Sequence, residues 1–286
     1  MLHNLNIRKV LSSKNWAPVL QMYGMGRFND IWKSSVEKYF LADTAVPDLG
    51  MDSIISIYLK ICEIVSSENV WDKRENVSEI EEISALEKYL MQIPNHLCDG
   101  IALASGRKGS VEIKEKLDLP IFGIVSVRRT GWTRVIPAFY PGIPGSERVE
   151  TVAEHSIKTA ILAACLAPDN RLEAFEMGLC HDMAESKVGD LTPQQMPDRE
   201  VKHRLEAEAF EKMISAFPDN IASKFRLRFM NYLENQTNLA HIVHMADKLD
   251  MALQAMSYER LFHIDLQEFL DSASKEIWED YGRVNR

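Results

Sequence analysis

The stretch "GLCHDMAESKVGDLTP" at residues 178–193 sets His181 beside Asp182, with Glu185 three residues further on and Asp190 just past Gly189. Adjacent positions on a helix diverge by about 100°, so an apolar helix gains little packing from a polar doublet. A second imidazole, His155, stands upstream in "ETVAEHSIKTAILAA", and Asp247 interrupts the apolar pattern of "HIVHMADKLDMALQA". Two imidazoles and two carboxylates make a mixed nitrogen and oxygen donor set suited to a divalent ion such as Mn, Co or Fe(II). An ion that prefers five or six ligands keeps room there for water and a phosphate oxygen, which is what metal-assisted hydrolysis needs. Taken singly, His155 reads as a satisfied core histidine and Asp247 as a helix carboxylate paired with Lys248. Their joint occurrence on separate segments favours the metal set. Structural zinc sites more often combine Cys with His in a closed shell.

The elements that must hold these groups are mostly helical. Apolar residues recur at three- and four-residue spacing at Ile54, Ile57, Tyr58 and Ile61, at Leu205, Phe210, Met213, Ile214 and Phe217, and from Leu239 to Leu253. Thr151 to Leu166 forms another such segment, ended by Pro168. Further helices are expected around 29–42, 52–67 and 78–92, the last opened by Ser78 and early acidic residues. Strand-like alternation is scarce, and its best candidate, "FGIVSV" at 122–127, also suits a short helix. The run "PAFYPGIPGS" at 137–146 is a loop by its turn chemistry. The expected fold class is therefore all-α, a helical bundle with ligands projecting inward, preceded by an additional mostly helical N-terminal region.

Composition narrows the class of partner. Apolar residues make up 46% and charged residues 26% of the 286, as in ordinary globular enzymes, and no stretch is apolar enough for a membrane span. The N-terminal "MLHNLNIRKVLSSKNW" is too polar in its second half for a signal peptide, so a cytoplasmic location is expected. The net charge of -9 argues against general affinity for duplex nucleic acid while permitting a basic pocket for one phosphate. Cys62, Cys98, Cys165 and Cys180 lack CxxC spacing and are expected as reduced thiols.

The order His155, His181-Asp182, Asp247 resembles the HD superfamily of metal-dependent phosphohydrolases. More narrowly, "RRTGW", "RVETVAEHS", "HDMAESKVGDLTP", "EVKHRLEAEAF" and "ADKLDMALQAMSYE" are similar, in that order, to the bacterial 5'-deoxynucleotidases and the HD-domain-containing protein 2 group. The resemblance spans roughly residues 117–286, taken as an HD phosphohydrolase domain, and leaves 1–116 as an N-terminal helical region without a counterpart in compact members. It implies one divalent metal ion on His155, His181, Asp182 and Asp247, with Glu185 and Asp190 as catalytic acids or bases. It further implies Arg129 as the phosphate-gripping arginine, with Arg128 as a competitor, Trp132 near the sugar, and Arg148 and Glu150 bracing the ligand loop.

The function so implied is a phosphomonoesterase that hydrolyses the 5'-phosphate of (deoxy)nucleoside monophosphates, with a nucleotide as partner and a homodimer as one option for its assembly. Three alternatives stand beside it. One is an HD-type hydrolase of nucleoside triphosphates or other phosphate esters. Another is a di-iron oxygenase, which would recruit further histidines from among His203, His241 and His244. The third is a non-catalytic nucleotide-binding protein.

Overall fold

A computed structural model describes residues 5–14, 16, 20, 124, 126–136, 149–192, 195–196, 198–215 and 219–284. The helices expected around 29–42, 52–67 and 78–92, the proline-rich loop 137–146, Arg148, Cys62 and Cys98 lie outside them. Among the described residues every regular element is a helix, as the spacing predicts, and the only sheet-like pairing is one antiparallel bridge between Arg128 and Thr151. "FGIVSV" forms no strand where it is described.

The helices are α1 (Ile7–Leu11), α2 (Thr130–Val135), α3 (Val152–Leu166), α4 (Arg171–Cys180), α5 (Glu185–Val188), α6 (Arg199–Ile214), α7 (Asp219–Glu234), α8 (Asn238–Phe262) and α9 (Gln267–Val284). At its start α3 has a capping box: the Thr151 hydroxyl accepts from the Glu154 N–H, and the Glu154 carboxylate accepts from the Thr151 N–H. Every residue of α3 except Glu154 is buried, as expected for a helix apolar around nearly its whole circumference. Against it pack α4 and the 25-residue α8. The Thr237 hydroxyl caps α8 by accepting from Ala240 N–H, and His263, at φ 55°, ends it.

Outer layers follow from one-sided apolar stripes. In α9, Leu270, Ala273, Ile277 and Tyr281 are buried against the core, while α6 and α7 join through stacked Phe210 and Phe229 rings 3.9 Å apart. The described part of the N-terminal region belongs to the same core. Leu5, Ile7, Val10, Leu11, Trp16 and Leu20 are buried in it, and Arg8 forks onto the Glu259 carboxylate at 2.6 and 2.7 Å. Burial of those six apolar side chains, at about 1.5–3 kcal/mol each for the larger ones, outweighs anything the exposed part of the Arg8 pair contributes.

Candidate active site

Two helices and one turn bring the sequence-derived donors together. His155 projects from α3, Asp247 from α8, and His181 and Asp182 from the turn that follows α4. The i+3 and i+4 offsets of Glu185 from Asp182 and His181 predict one helix face carrying all three, and here the structure differs. Helix α4 ends at Cys180, the chain tightens through i to i+3 hydrogen bonds such as Met183 N–H to Cys180 C=O, and Glu185 opens the separate α5. The cause is local: His181 Nδ1 lies 2.7 Å from the Gly178 carbonyl, so the imidazole takes an acceptor that the next turn of helix would otherwise use.

That bond also sets the tautomer. With Nδ1–H donating to Gly178, His181 keeps its Nε2 lone pair for the interior. His155 is oriented the same way, its Nδ1 donating to Asp250 Oδ2 at 2.7 Å. The two Nε2 atoms stand 3.2 Å apart. Asp182 Oδ2 is 3.1 Å from His181 Nε2 and 3.5 Å from His155 Nε2, and Asp247 Oδ1 is 3.1 Å from His155 Nε2. The donor atoms of His155, His181 and Asp247 all lie within 4.8 Å of one another.

This donor set fits a divalent cation. Ligands bound at about 2.1 Å sit roughly 3.0 Å apart at right angles and about 3.4 Å apart at tetrahedral angles, close to the four separations of 3.1–3.5 Å here, although Asp182 lies outside the mutually close group of His155, His181 and Asp247. Acceptor atoms this close repel unless a positive charge stands among them. In its absence a proton takes that place: burial and the Arg129 charge disfavour it, yet the hydrogen bonds of Asp247 and Asp250 and the Asp250 charge push the pKa of His155 up to about 9. Despite burial, Asp182 is held well below the usual carboxylate range by His181, Arg129 and His155, and Asp247 by Lys248 and the same histidines.

Asp250 and the lysine beneath it escape a reading by motif. Lys158 Nζ touches the Glu150 carboxylate, lies 2.7 Å from Gln254 Oε1 and 3.6 Å from Asp250 Oδ1, all buried. The signal was available: a lysine inside "EHSIKTAILAA", three residues after a ligand histidine, must find buried acids. Glu150 then ties this network to the substrate side. Its carboxylate accepts from Trp132 Nε1–H at 2.9 Å, and its backbone carbonyl accepts from Arg129 N–H at 3.0 Å.

A cavity of about 580 Å³ opens over the donors. Arg129 lines it at the N-cap of α2, with Nη1 2.9 Å from Asp182 Oδ2. Arg128 instead spends its guanidinium on the Val149 carbonyl. Trp132 is 2% exposed, packed with its ring centroid 4.5 Å from that of Phe269, and both border the cavity. Glu185 is buried on the wall, and its Oε2 has no hydrogen-bond partner among the described residues. Burial first, then repulsion from Asp182 and Asp190, raises its pKa well above the ordinary value. Asp190 follows Gly189, whose φ of 78° favours glycine, and its carboxylate accepts from the Thr130 N–H at the start of α2.

His203, His241 and His244 stand outside the donor cluster, although His203 and His244 line the cavity. His244 stacks on Tyr232 at 4.1 Å with Nε2 3.2 Å from the Tyr232 carbonyl, His241 faces Asp280 at 3.3 Å, and His203 accepts from Arg199 at 3.4 Å. None joins a converging donor group among the described residues.

Residues 126–285 match the sequence profile of the HD domain. The chain belongs to this family. Its HD domain is similar to a Homo sapiens protein named 5'-deoxynucleotidase HDDC2, 32% identical over 152 residues that cover 52% of this chain and 70% of that one. It is also similar to the 5'-deoxynucleotidase hdd1 of Schizosaccharomyces pombe, 36% identical over 149 residues covering 49% and 71%. Among solved structures, a conserved hypothetical protein from Pyrococcus furiosus superposes with a TM-score of 0.44 at 24% identity, over 59% of this chain and 96% of that chain. Divalent metal binding goes with an HD domain, and no helix among the described residues is long and apolar enough to cross a membrane.

Proposed function

We propose that the protein is a metal-dependent phosphomonoesterase that removes the 5'-phosphate from (deoxy)nucleoside monophosphates. The observation that carries this reading is the convergence of His155, His181, Asp182 and Asp247 beside a buried carboxylate oxygen of Glu185 that has no hydrogen-bond partner among the described residues. A divalent ion such as Mn, Co or Fe, held by those four side chains, supplies Lewis acidity and lowers the pKa of water.

The other steps belong to the chain's own residues. Arg129, anchored through Nη1 to Asp182, keeps its remaining N–H groups for phosphate oxygens, which a planar guanidinium engages in pairs. Glu185 Oε2, buried on the cavity wall, accepts the proton of the attacking water, and burial together with Asp182 and Asp190 makes its carboxylate a stronger base than an ordinary one. For the proton that the attacking water gives to Glu185, the departing 5'-oxygen takes one up, and Asp190, held by its hydrogen bond from Thr130, passes it on. Trp132 and Phe269 form an apolar wall for the sugar, where bulk disfavours a ribose 2'-hydroxyl. The 5'-deoxynucleotidase names of the relatives support this choice of substrate.

Phosphate release from a panel of ribo- and deoxyribonucleoside 5'-monophosphates, with Mn or Co added, tests the proposal. Release from the monophosphates is the expected result. No release from any of them, with metal demonstrably bound, rejects it, and turnover confined to triphosphates moves the reading to the other hydrolase class.

A further inference from the structure

Besides Arg129, the lysines and arginines that line the cavity among the described residues are Lys248, Arg199 and Lys202, and their commitments differ. Lys248 is held between Asp247 Oδ2 at 3.1 Å and Glu276 Oε2 at 3.4 Å, so it already neutralises one of the candidate metal ligands. Arg199 donates to His203 at the solvent-exposed start of α6. Lys202, one turn further along α6, is held among the described residues only by Glu206 on its own helix, at 3.4 Å. Its side chain is 27% exposed and that of Glu206 11%, so the ammonium sits partly out of water against a single acid.

An i,i+4 pair of this kind contributes little even on an exposed helix, too little to explain why both groups are drawn into a cavity wall. The surroundings of Lys202 supply a reason. Burial opposes its charge, but Glu206, Glu185, Asp182 and Asp190 attract it, so the ammonium faces the same acids that surround the donor cluster. Helix α6 meets α5, which Glu185 opens, and it is a different element from α2, which follows Arg129.

We infer that Lys202 is a phosphate ligand, supplied from α6 to the phosphoryl group that Arg129 binds from α2, and that Glu206 holds the ammonium in position until phosphate displaces it. The inference rests on the proposed phosphatase reading and adds a second cationic contact to it. A phosphate dianion offers more acceptor sites than Arg129 can fill. A lysine, as a mobile point charge on a flexible stem, can change partners from a carboxylate to a phosphoryl oxygen without moving its helix.

Two variants of opposite sign test this. Lys202→Met keeps the length of the stem and removes the charge; Glu206→Gln keeps the volume and releases the ammonium. Binding of inorganic phosphate to the metal-loaded full chain, measured by calorimetry, should weaken about 10- to 100-fold in Lys202→Met, the range for a lost charge-assisted hydrogen bond. Lys202→Arg should recover part of the loss, and Glu206→Gln should bind phosphate at least as tightly as the unaltered protein. Metal content should be the same in all of them. In turnover of a nucleoside monophosphate, KM should rise in Lys202→Met with phosphate inhibition weakened in parallel.

Unchanged phosphate affinity in Lys202→Met at equal metal content overturns the assignment, as does equal weakening in Lys202→Met and Glu206→Gln, which is what a merely structural pair would give. Failure of the unaltered protein to bind phosphate at all overturns it as well. If phosphate binding responds as expected but no monophosphate is hydrolysed, the contact stands and the phosphatase reading fails.

Discussion

Asp250 Oδ2 accepts from His155 Nδ1 at 2.7 Å, while the opposite nitrogen of the same ring lies 3.2 Å from His181 Nε2. One buried carboxylate thus decides which lone pair the ring offers to the donor cluster, and partners of this kind typically govern metal affinity about 10- to 100-fold. Asp250→Ala should therefore weaken Mn binding by that factor, read by chelator competition. Asp250→Asn, whose side-chain oxygen can still accept the N–H, should lose less. Equal affinity in Asp250→Ala and the unaltered protein would show that the ring needs no such anchor.

A proton and a divalent cation compete for His155 Nε2. Because Asp247 and Asp250 outweigh burial and hold its pKa at about 9, the nitrogen is protonated below that pH, and each cation that binds must displace the proton. Apparent metal affinity should then rise about tenfold per pH unit until about pH 9 and level off above it. The same protonation stabilises the metal-free fold: the contribution is fully present below the unfolded-state value and is lost as pH rises through about 9. Metal titrations across this interval, in buffers of matched ionic strength, check the slope. A flat profile contradicts it.

Much of the fold and of the donor set was legible because both follow from spacing. Thr151 to Leu166 and Leu239 to Leu253 read as helices from their apolar periodicity, and both are, with His155 and Asp247 as their polar interruptions. The break after Cys180 was hidden because it depends on a side chain taking a backbone acceptor, His181 on Gly178, which periodicity does not register. Asp250 was hidden for a different reason. Three residues after Asp247 it looks like one more helix carboxylate, and only its complete burial beside Lys158 separates it from a solvated one. Of the arginine pair, sequence chemistry is the same for both, and it takes the Val149 carbonyl to occupy Arg128 and leave Arg129 at the cavity.

Glu185 carries opposed demands of stability and chemistry. Its carboxyl is raised well above the ordinary value by burial and by Asp182 and Asp190, so the folded state binds the proton more tightly than the unfolded chain. Stability is accordingly lost as pH rises from the unfolded value through the folded one. Glu185→Gln removes that loss and should raise the melting temperature of the metal-free protein near neutral pH. It should also lower kcat about 10²- to 10⁴-fold by removing the proton acceptor, with metal content preserved. A variant with lower stability and undiminished turnover would place the proton transfer elsewhere.

Gly178 joins the packing of the bundle to the candidate metal site. A Cβ there would lie 2.7 Å from Ala160 Cα and 2.9 Å from Ala160 N, so α3 and α4 approach at backbone distance where His181 anchors to the Gly178 carbonyl. Gly178→Ala forces the helices apart, at about 1–3 kcal/mol for an overpacked core, and carries the His181 anchor with α4. Both the melting temperature and the metal affinity should fall together. Trimming the neighbour in a Gly178→Ala, Ala160→Gly double variant should not restore them, because the contact is with the Ala160 backbone rather than its methyl group. Rescue by the double variant, followed by thermal unfolding and metal titration, would mean that side-chain volume alone sets the helix spacing and that His181 is positioned independently of it.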